Sequence, residues 1–288
     1  MASIKSHNTP VEAYKINRSE VFVKREDLAC LSPGPPFSKV RGLLPTLIDL
    51  KNEGYTTFGY MENSISMATW GVSYFCKQLG LKCIVFAPQY VGGLQDNQDK
   101  MVEKWEQFGA DVRWMKACRQ TIGYYMARKI LKAEYQNSYM LPLGLPFDIT
   151  VNEVAKQVKL LSKELLNGSI IVSVGSGIMT SGICKGVSSE GGTAEIFGIL
   201  AAPKSEGRMF SKIRKYSGVP INFRNDLFSA NVDLTLIDTG IGYKEIPDIE
   251  APFPCNDNYD LKAWKWLVDN KEYLAKPILF WNIGASYV

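Results

Sequence analysis

Histidine is almost missing from this 288-residue chain: the single one is His7, in a polar stretch. A Ser-His-Asp or Cys-His nucleophile system, a histidine-based metal centre and an imidazole general base all need more than that. Lysine, tyrosine, carboxylates or a bound cofactor must therefore carry any chemistry. Paired C-x-x-C spacings are also lacking. The six cysteines, Cys30, Cys76, Cys83, Cys118, Cys184 and Cys255, lie mostly in apolar surroundings and read as buried free thiols rather than disulfides or zinc ligands. No apolar run approaches the roughly 18 residues of a membrane span, and the first twenty residues show no apolar signal core. A cytoplasmic protein without a membrane partner is expected. Net charge is only +4, from 33 basic and 29 acidic residues. The charges read as interleaved throughout, with no basic block or basic-aromatic stripe of the kind that advertises nucleic-acid binding, although folding can still gather a local basic face.

With 46% apolar and 22% charged residues the composition is that of a globular protein, long enough for one large or two modest domains. Short β-rich runs start at Val21, Thr56, Cys83, Asp111, Ile170, Glu195, Val232 and Pro277. Between them, helical patterns fall near 40–53, 66–79, 94–108, 120–133, 148–166, 178–188, 205–216 and 258–270. Such alternation predicts an α/β fold with mostly parallel sheets covered by helices on both faces. Residues 240–257 form the longest irregular stretch.

Two segments carry chemical content. In "PGPPFSKVRG", from Pro33, the prolines stiffen the chain up to Phe37. Ser38 then reads as the N-cap of an amphipathic helix. Lys39 would sit at a helix N-terminus, where the dipole favours anions rather than cations. A solvated lysine and a lysine held beside an anion site both fit. In "SIIVSVGSGIMTSG", from Ser169, a buried strand runs into Gly175-Ser176-Gly177 and a helix. This is a phosphate-cradle pattern that also arises by chance in α/β proteins. Thr180 stands where a Rossmann motif needs its third glycine, and no Walker lysine follows, so NAD and ATP are disfavoured. Together, a lysine after a proline loop and a separate phosphate cradle suit pyridoxal phosphate.

Here the chain resembles the fold type II, tryptophan-synthase-β-like family of pyridoxal-phosphate enzymes. "FSKVRG" is similar to the family's lysine motif, "KREDL" at Lys24 to the strand before it, and "VGSGIMTSG" to its phosphate loop. The resemblance implies that Lys39 forms the Schiff base and that Gly175, Ser176, Gly177, Ile178, Met179 and Thr180 bind the cofactor. It also implies a large domain of residues 1–47 plus 148–288, a small inserted α/β domain of 48–147, each with three layers, and a homodimer. Near the C-terminus, "GYKEIP" and "NYDLKAWKWL" are similar to segments of the 1-aminocyclopropane-1-carboxylate deaminase and D-cysteine desulfhydrase subgroup. Tyr243 and Tyr259 then match two tyrosines that approach the substrate, and Asp260 an acid facing the pyridine nitrogen. Taken without the resemblance, either tyrosine reads as a half-buried packing residue.

Departures from the family pattern are as informative. Ile283 and Ala285 replace a threonine and a glycine of the closing strand, so a partner for the pyridine nitrogen is lost at position 283. Met67 stands where an asparagine should touch the cofactor's hydroxyl, and Asn63 could serve only with a different gapping. Ser64 and Ser66, at the N-terminus of the 66–79 helix, are expected to hold a substrate carboxylate. The connection between the two tyrosines is shorter than in the subgroup, a trimmed wall that could admit a larger substrate. The implied function is a lyase or deaminase type of enzyme acting at Cα or Cβ of an amino acid. Elimination, replacement, ring opening and decarboxylation stay open, and the amino acid could be carried on a larger molecule such as a nucleic acid. The alternative is a catalytically inactive binding or regulatory protein.

Overall fold

The computed structural model describes residues 8–63, 65–90, 93–223 and 232–286. In chain order the strands and helices are β1 (Val11–Ile16), β2 (Ser19–Arg25), α1 (Val40–Asn52), β3 (Thr57–Met61), α2 (Ala68–Leu79), β4 (Lys82–Gln89), α3 (Gly93–Gln107), β5 (Ala110–Lys116), α4 (Gln120–Glu134) and β6 (Ser138–Met140). There follow α5 (Asp148–Lys159), β7 (Ser169–Val174), α6 (Ile178–Ser189), β8 (Glu195–Leu200), α7 (Glu206–Ser217), β9 (Asn222–Phe223), β10 (Asp233–Ile237), α8 (Asp260–Asn270) and β11 (Ile278–Asn282). The described chain divides into two compact units, one made of 31–35 and 42–146, the other of the remainder.

The first unit holds a parallel four-stranded sheet in the order β5-β4-β3-β6. On one face Met61, Ile84, Phe86 and Met115 meet Ala127 and Leu131 of α4. The three-residue β6 is absent from the sequence reading, because three residues give no periodicity to detect.

The second unit holds a seven-stranded sheet ordered β1-β2-β11-β7-β8-β10-β9, parallel except for the β1–β2 hairpin. Strand β7 is buried along its whole length, as expected of a central parallel strand. Its alternate residues feed two cores. Ile170, Val172 and Val174 face Val154, Val158, Met179, Ile183 and Ile213 from α5, α6 and α7. Ile171 faces Leu261, Trp264 and Leu267 of α8. The unit is thus a three-layer sandwich. Helices α5 and α6 approach closely because Gly182 and Gly186 have no Cβ; one added there would fall 2.5 Å and 2.4 Å from the Cβ atoms of Val154 and Val158. Since β2, β11, β7 and β8 are mutually parallel, their carboxyl ends share one edge, where α/β proteins place their ligands.

Two local expectations are corrected. The helix after the proline loop begins at Val40, and Ser38 does not cap it: its buried hydroxyl has no hydrogen-bond partner among the described residues. The helical pattern over 148–166 resolves into α5 and a separate 3-10 turn at Lys163–Leu166. The cysteines are free thiols, although Cys118 is exposed.

Candidate cofactor and catalytic site

Lys39 is held in place by backbone stitching. Phe37 bridges to Gly284, the Ser38 N–H donates to the Ile283 carbonyl at 3.0 Å, and the Ala285 N–H donates to the Pro36 carbonyl at 3.0 Å. A Cβ at Gly284 would lie 2.9 Å from the Pro36 oxygen, so the strands' approach requires glycine there. Two residues on, Arg41 makes a two-pronged pair with Glu26, Nε to Oε2 at 2.6 Å and Nη2 to Oε1 at 2.8 Å, with both side chains buried. Glu26 directly follows β2. Arg25 pairs with Asp27 in the same way, and Asp27 accepts from Asn282 Nδ2 at 3.1 Å. The "KREDL" segment is therefore a buried ionic brace that fixes the lysine loop to the sheet edge.

So placed, Lys39 Nζ donates to Ser176 Oγ at 3.1 Å, joining the lysine to the glycine-rich loop 137 positions away. Gly177, with φ +86°, turns the chain into α6, and residue 178 starts the helix. A Cβ at Gly175 would meet Tyr259 Cε1 at 2.8 Å, so Tyr259 lies directly on this loop. Tyr259 and Tyr243 share a short hydroxyl–hydroxyl hydrogen bond, with rings edge-on at 5.7 Å and 87°. Asp260, the first residue of α8, is fully buried. Its Oδ1 accepts from the Ile283 N–H at 3.0 Å, while Oδ2 has no hydrogen-bond partner among the described residues. Burial raises its pKa well above the ordinary carboxylate value, with the Asp27 charge adding to the effect and the Ile283 N–H opposing it. Ile283, which has lost the family's polar side chain, thus acts through its backbone.

Three lysines missed by sequence reasoning complete the site. Lys204, just past β8, donates from Nζ to the Gly175 carbonyl at 2.8 Å. Lys212, on α7, and Lys204 both bear electrostatically on Lys39. Burial first, then these two cations, lower the Lys39 ammonium from its usual range to about 7. Lys204 and Lys212 are themselves lowered, chiefly by burial. Lys262, fully buried, donates to the carbonyls of Ala201, Gly242 and Tyr243 at 2.8, 2.6 and 3.3 Å and so clamps the Tyr243 loop. A lysine usually signals a solvated surface; the signal available was position, since Lys204 follows the carboxyl end of a parallel strand.

The remaining candidates belong to the other unit. Asn63 Oδ1 accepts from the Ile65 and Ser66 amides at 3.2 and 2.9 Å, and Ser66 Oγ from the Ala68 amide at 3.1 Å. These oxygens therefore satisfy the start of α2. Met67 is buried, and Ser64 lies outside the described residues.

The family model described as pyridoxal-phosphate dependent enzyme matches residues 4–227. The chain belongs to that family. Among curated proteins, a "Glycyl-dTMP PLP-dependent decarboxylase" of Pseudomonas phage M6 is 36% identical over 288 residues, covering 96% of this chain and 99% of the relative. Among solved structures, an ACC deaminase homologue superposes with TM-score 0.75 at 23% identity, covering 96% of this chain and 89% of the other. A hydrogen sulfide-producing enzyme from Fusobacterium nucleatum gives TM-score 0.68 at 15% identity, covering 97% and 94%. The fold is therefore the fold type II architecture of these pyridoxal-phosphate enzymes, and pyridoxal phosphate is the cofactor. The residues present fit it. The buried hydroxyls of Thr180 and Ser38 and the Asp260 Oδ2 are polar atoms that the protein itself leaves unsatisfied around Lys39 and the loop. A side-chain-free position at Gly175 and the amides opening α6 suit a phosphate.

Proposed function

We propose that this enzyme decarboxylates an amino-acid group carried on a nucleotide, namely a glycyl group on thymidine monophosphate. Support for the chemistry comes from one observation: Lys39 Nζ lies 3.1 Å from the phosphate-loop Ser176, in surroundings that bring its pKa to about 7. An amine with that pKa can both give and take a proton at neutral pH. Support for the substrate comes from the decarboxylase relative, which matches along almost the whole of both chains.

In this reading the backbone of Gly175–Thr180 and the Thr180 hydroxyl would hold the phosphate, Lys39 would hold the cofactor until the substrate's amine takes its place and frees Nζ, and the buried Asp260 carboxyl would face the ring nitrogen. Bound there, the cofactor supplies an electron sink for the pair left when the Cα–carboxylate bond breaks. Carbon dioxide leaves, and Lys39 Nζ delivers one proton to Cα. The Tyr243–Tyr259 hydroxyl pair, fixed by Lys262, orients the group attached to Cα. Burial, with the Lys212 and Lys204 charges adding to it, keeps Lys39 from being permanently protonated. Asn63, Ser64 and Ser66 are substrate contacts by resemblance, with the 48–147 domain supplying them, and the homodimer belongs to the same proposal. Among the described residues no helix is long and apolar enough to cross a membrane.

The test is to incubate the holoenzyme with glycyl-dTMP and follow the product by mass spectrometry. The expected result is a product lacking one CO2, with Lys39→Ala reducing the rate about 10²–10⁴-fold and losing the borohydride-fixed cofactor absorbance. A second reading, deamination of a free amino acid, is favoured by the tyrosine pair alone. Ammonia release without CO2 would select it.

A further inference from the structure

Between Val112 and Ala133 the chain has six basic residues and no acidic one, whereas the rest has 27 basic against 29 acidic. The near-neutral total therefore hides a segment of opposite character, and the interleaving read from the whole sequence fails here. In the fold this segment is β5 and α4. Gly123, Ala127 and Leu131 of α4 are buried. At 3.6 residues per turn, Ile122, Tyr125, Lys129 and Lys132 then line the opposite face, with Met126 and Ile130 alongside. Ile122, Tyr125 and Met126 are 52%, 62% and 51% exposed, large values for such side chains. Tyr124 meets Tyr125 edge-on at 5.6 Å and 76°, bracing the exposed ring. Arg119, Lys129 and Lys132 have no carboxylate within ion-pair distance among the described residues. Arg113 differs, being paired with Asp111 and Glu134.

We infer that the exposed face of α4 binds a strand of nucleic acid, holding the polymer that carries the modified nucleotide. An exposed aromatic ring among unneutralised cations is a physical recipe for single-strand binding, with stacking on the ring and phosphates on the cations. Self-association through this face would set cations against cations in a two-fold contact. A lysine-lined groove also lies between α5 and α6, but two of its three lysines are paired with carboxylates. Lys156 contacts Glu153 at 2.5 Å, Lys159 contacts Glu190 at 3.7 Å and Lys185 contacts Asn152 at 2.7 Å. This inference rests on the proposed nucleotide substrate but is tested separately from it.

The experiment measures fluorescence anisotropy of a labelled single-stranded oligodeoxynucleotide with the holoenzyme, across salt concentrations. Wild type should bind, with affinity falling as salt rises. Lys129→Glu/Lys132→Glu should weaken binding by tenfold or more and flatten the salt slope, by about 0.7 for each phosphate no longer neutralised. Tyr125→Ala should weaken it on the order of tenfold with the slope unchanged. Both variants should turn over glycyl-dTMP as wild type does, while turnover of the same group within an oligonucleotide falls with affinity. The inference is overturned if the variants bind like wild type, if wild type does not bind at low salt, or if only anionic vesicles are retained. Absence of any glycyl-dTMP turnover would defeat the substrate assignment and leave the anisotropy result to decide the surface.

Discussion

At the scale of single residues, the Lys39 amine is governed by its neighbours' charge as well as by burial. Removing a neighbouring cation removes one cause of its lowered pKa. Lys212→Met should therefore move the alkaline limb of the pH–rate profile, where Lys39 loses the proton it delivers to Cα, upward from about 7, leaving more activity at alkaline pH; a limb that stays in place would show that Lys212 does not act through Lys39. The same shift governs stability without cofactor. Lys39 has a folded pKa below its unfolded value, so the unfolded chain binds the extra proton between about 7 and the ordinary lysine range near 10.4. Stability from this group rises with pH across that window and is flat below it. Lys39→Met should accordingly raise the melting temperature of the cofactor-free protein most below pH 7, with the advantage gone above about 10.5.

At the scale of elements, the α5–α6 contact sets the position of the phosphate loop, because that loop opens α6. Gly186→Ala would place a methyl 2.4 Å from Val158 Cβ, between the packed faces of α5 and α6. The expected cost is about 1–3 kcal/mol, together with weaker cofactor affinity, read by thermal melts and cofactor titration. A variant that melts lower but binds cofactor normally would separate packing from loop position. The central strands and the helices around them were legible in the sequence because β7 and β8 are apolar and α5 and α7 are periodic. β1 was not: its "VEAYKI" is an edge strand with alternately exposed, mixed side chains, which reads as polar chain. Lys39, the Gly175–Thr180 loop and the tyrosines were picked out by motif, and the fold brings them together. Lys204, Lys212 and Lys262 were not, since only the fold brings Lys204 and Lys212 near Lys39 and buries Lys262.

At the scale of the whole molecule, the charge total misled where its distribution informs. A windowed count would have found the acid-free stretch of β5 and α4; that its charge faces outward required the burial of Gly123, Ala127 and Leu131. The seven-stranded sheet has a further consequence, for the order of events in folding. Its third strand, β11, lies between β2 and β7, and Asn282 bonds to Asp27 across 255 positions of chain. Contacts of such separation form late, because the loop they close must be ordered first. Until β11 inserts, the Phe37–Gly284 bridge and the Ile283–Asp260 bond have no partner strand. On refolding, helical signal should therefore recover before cofactor absorbance, and simultaneous recovery would contradict this order. Nascent chains then carry helices long before they carry a site, so the cofactor is captured only by molecules whose central sheet has closed.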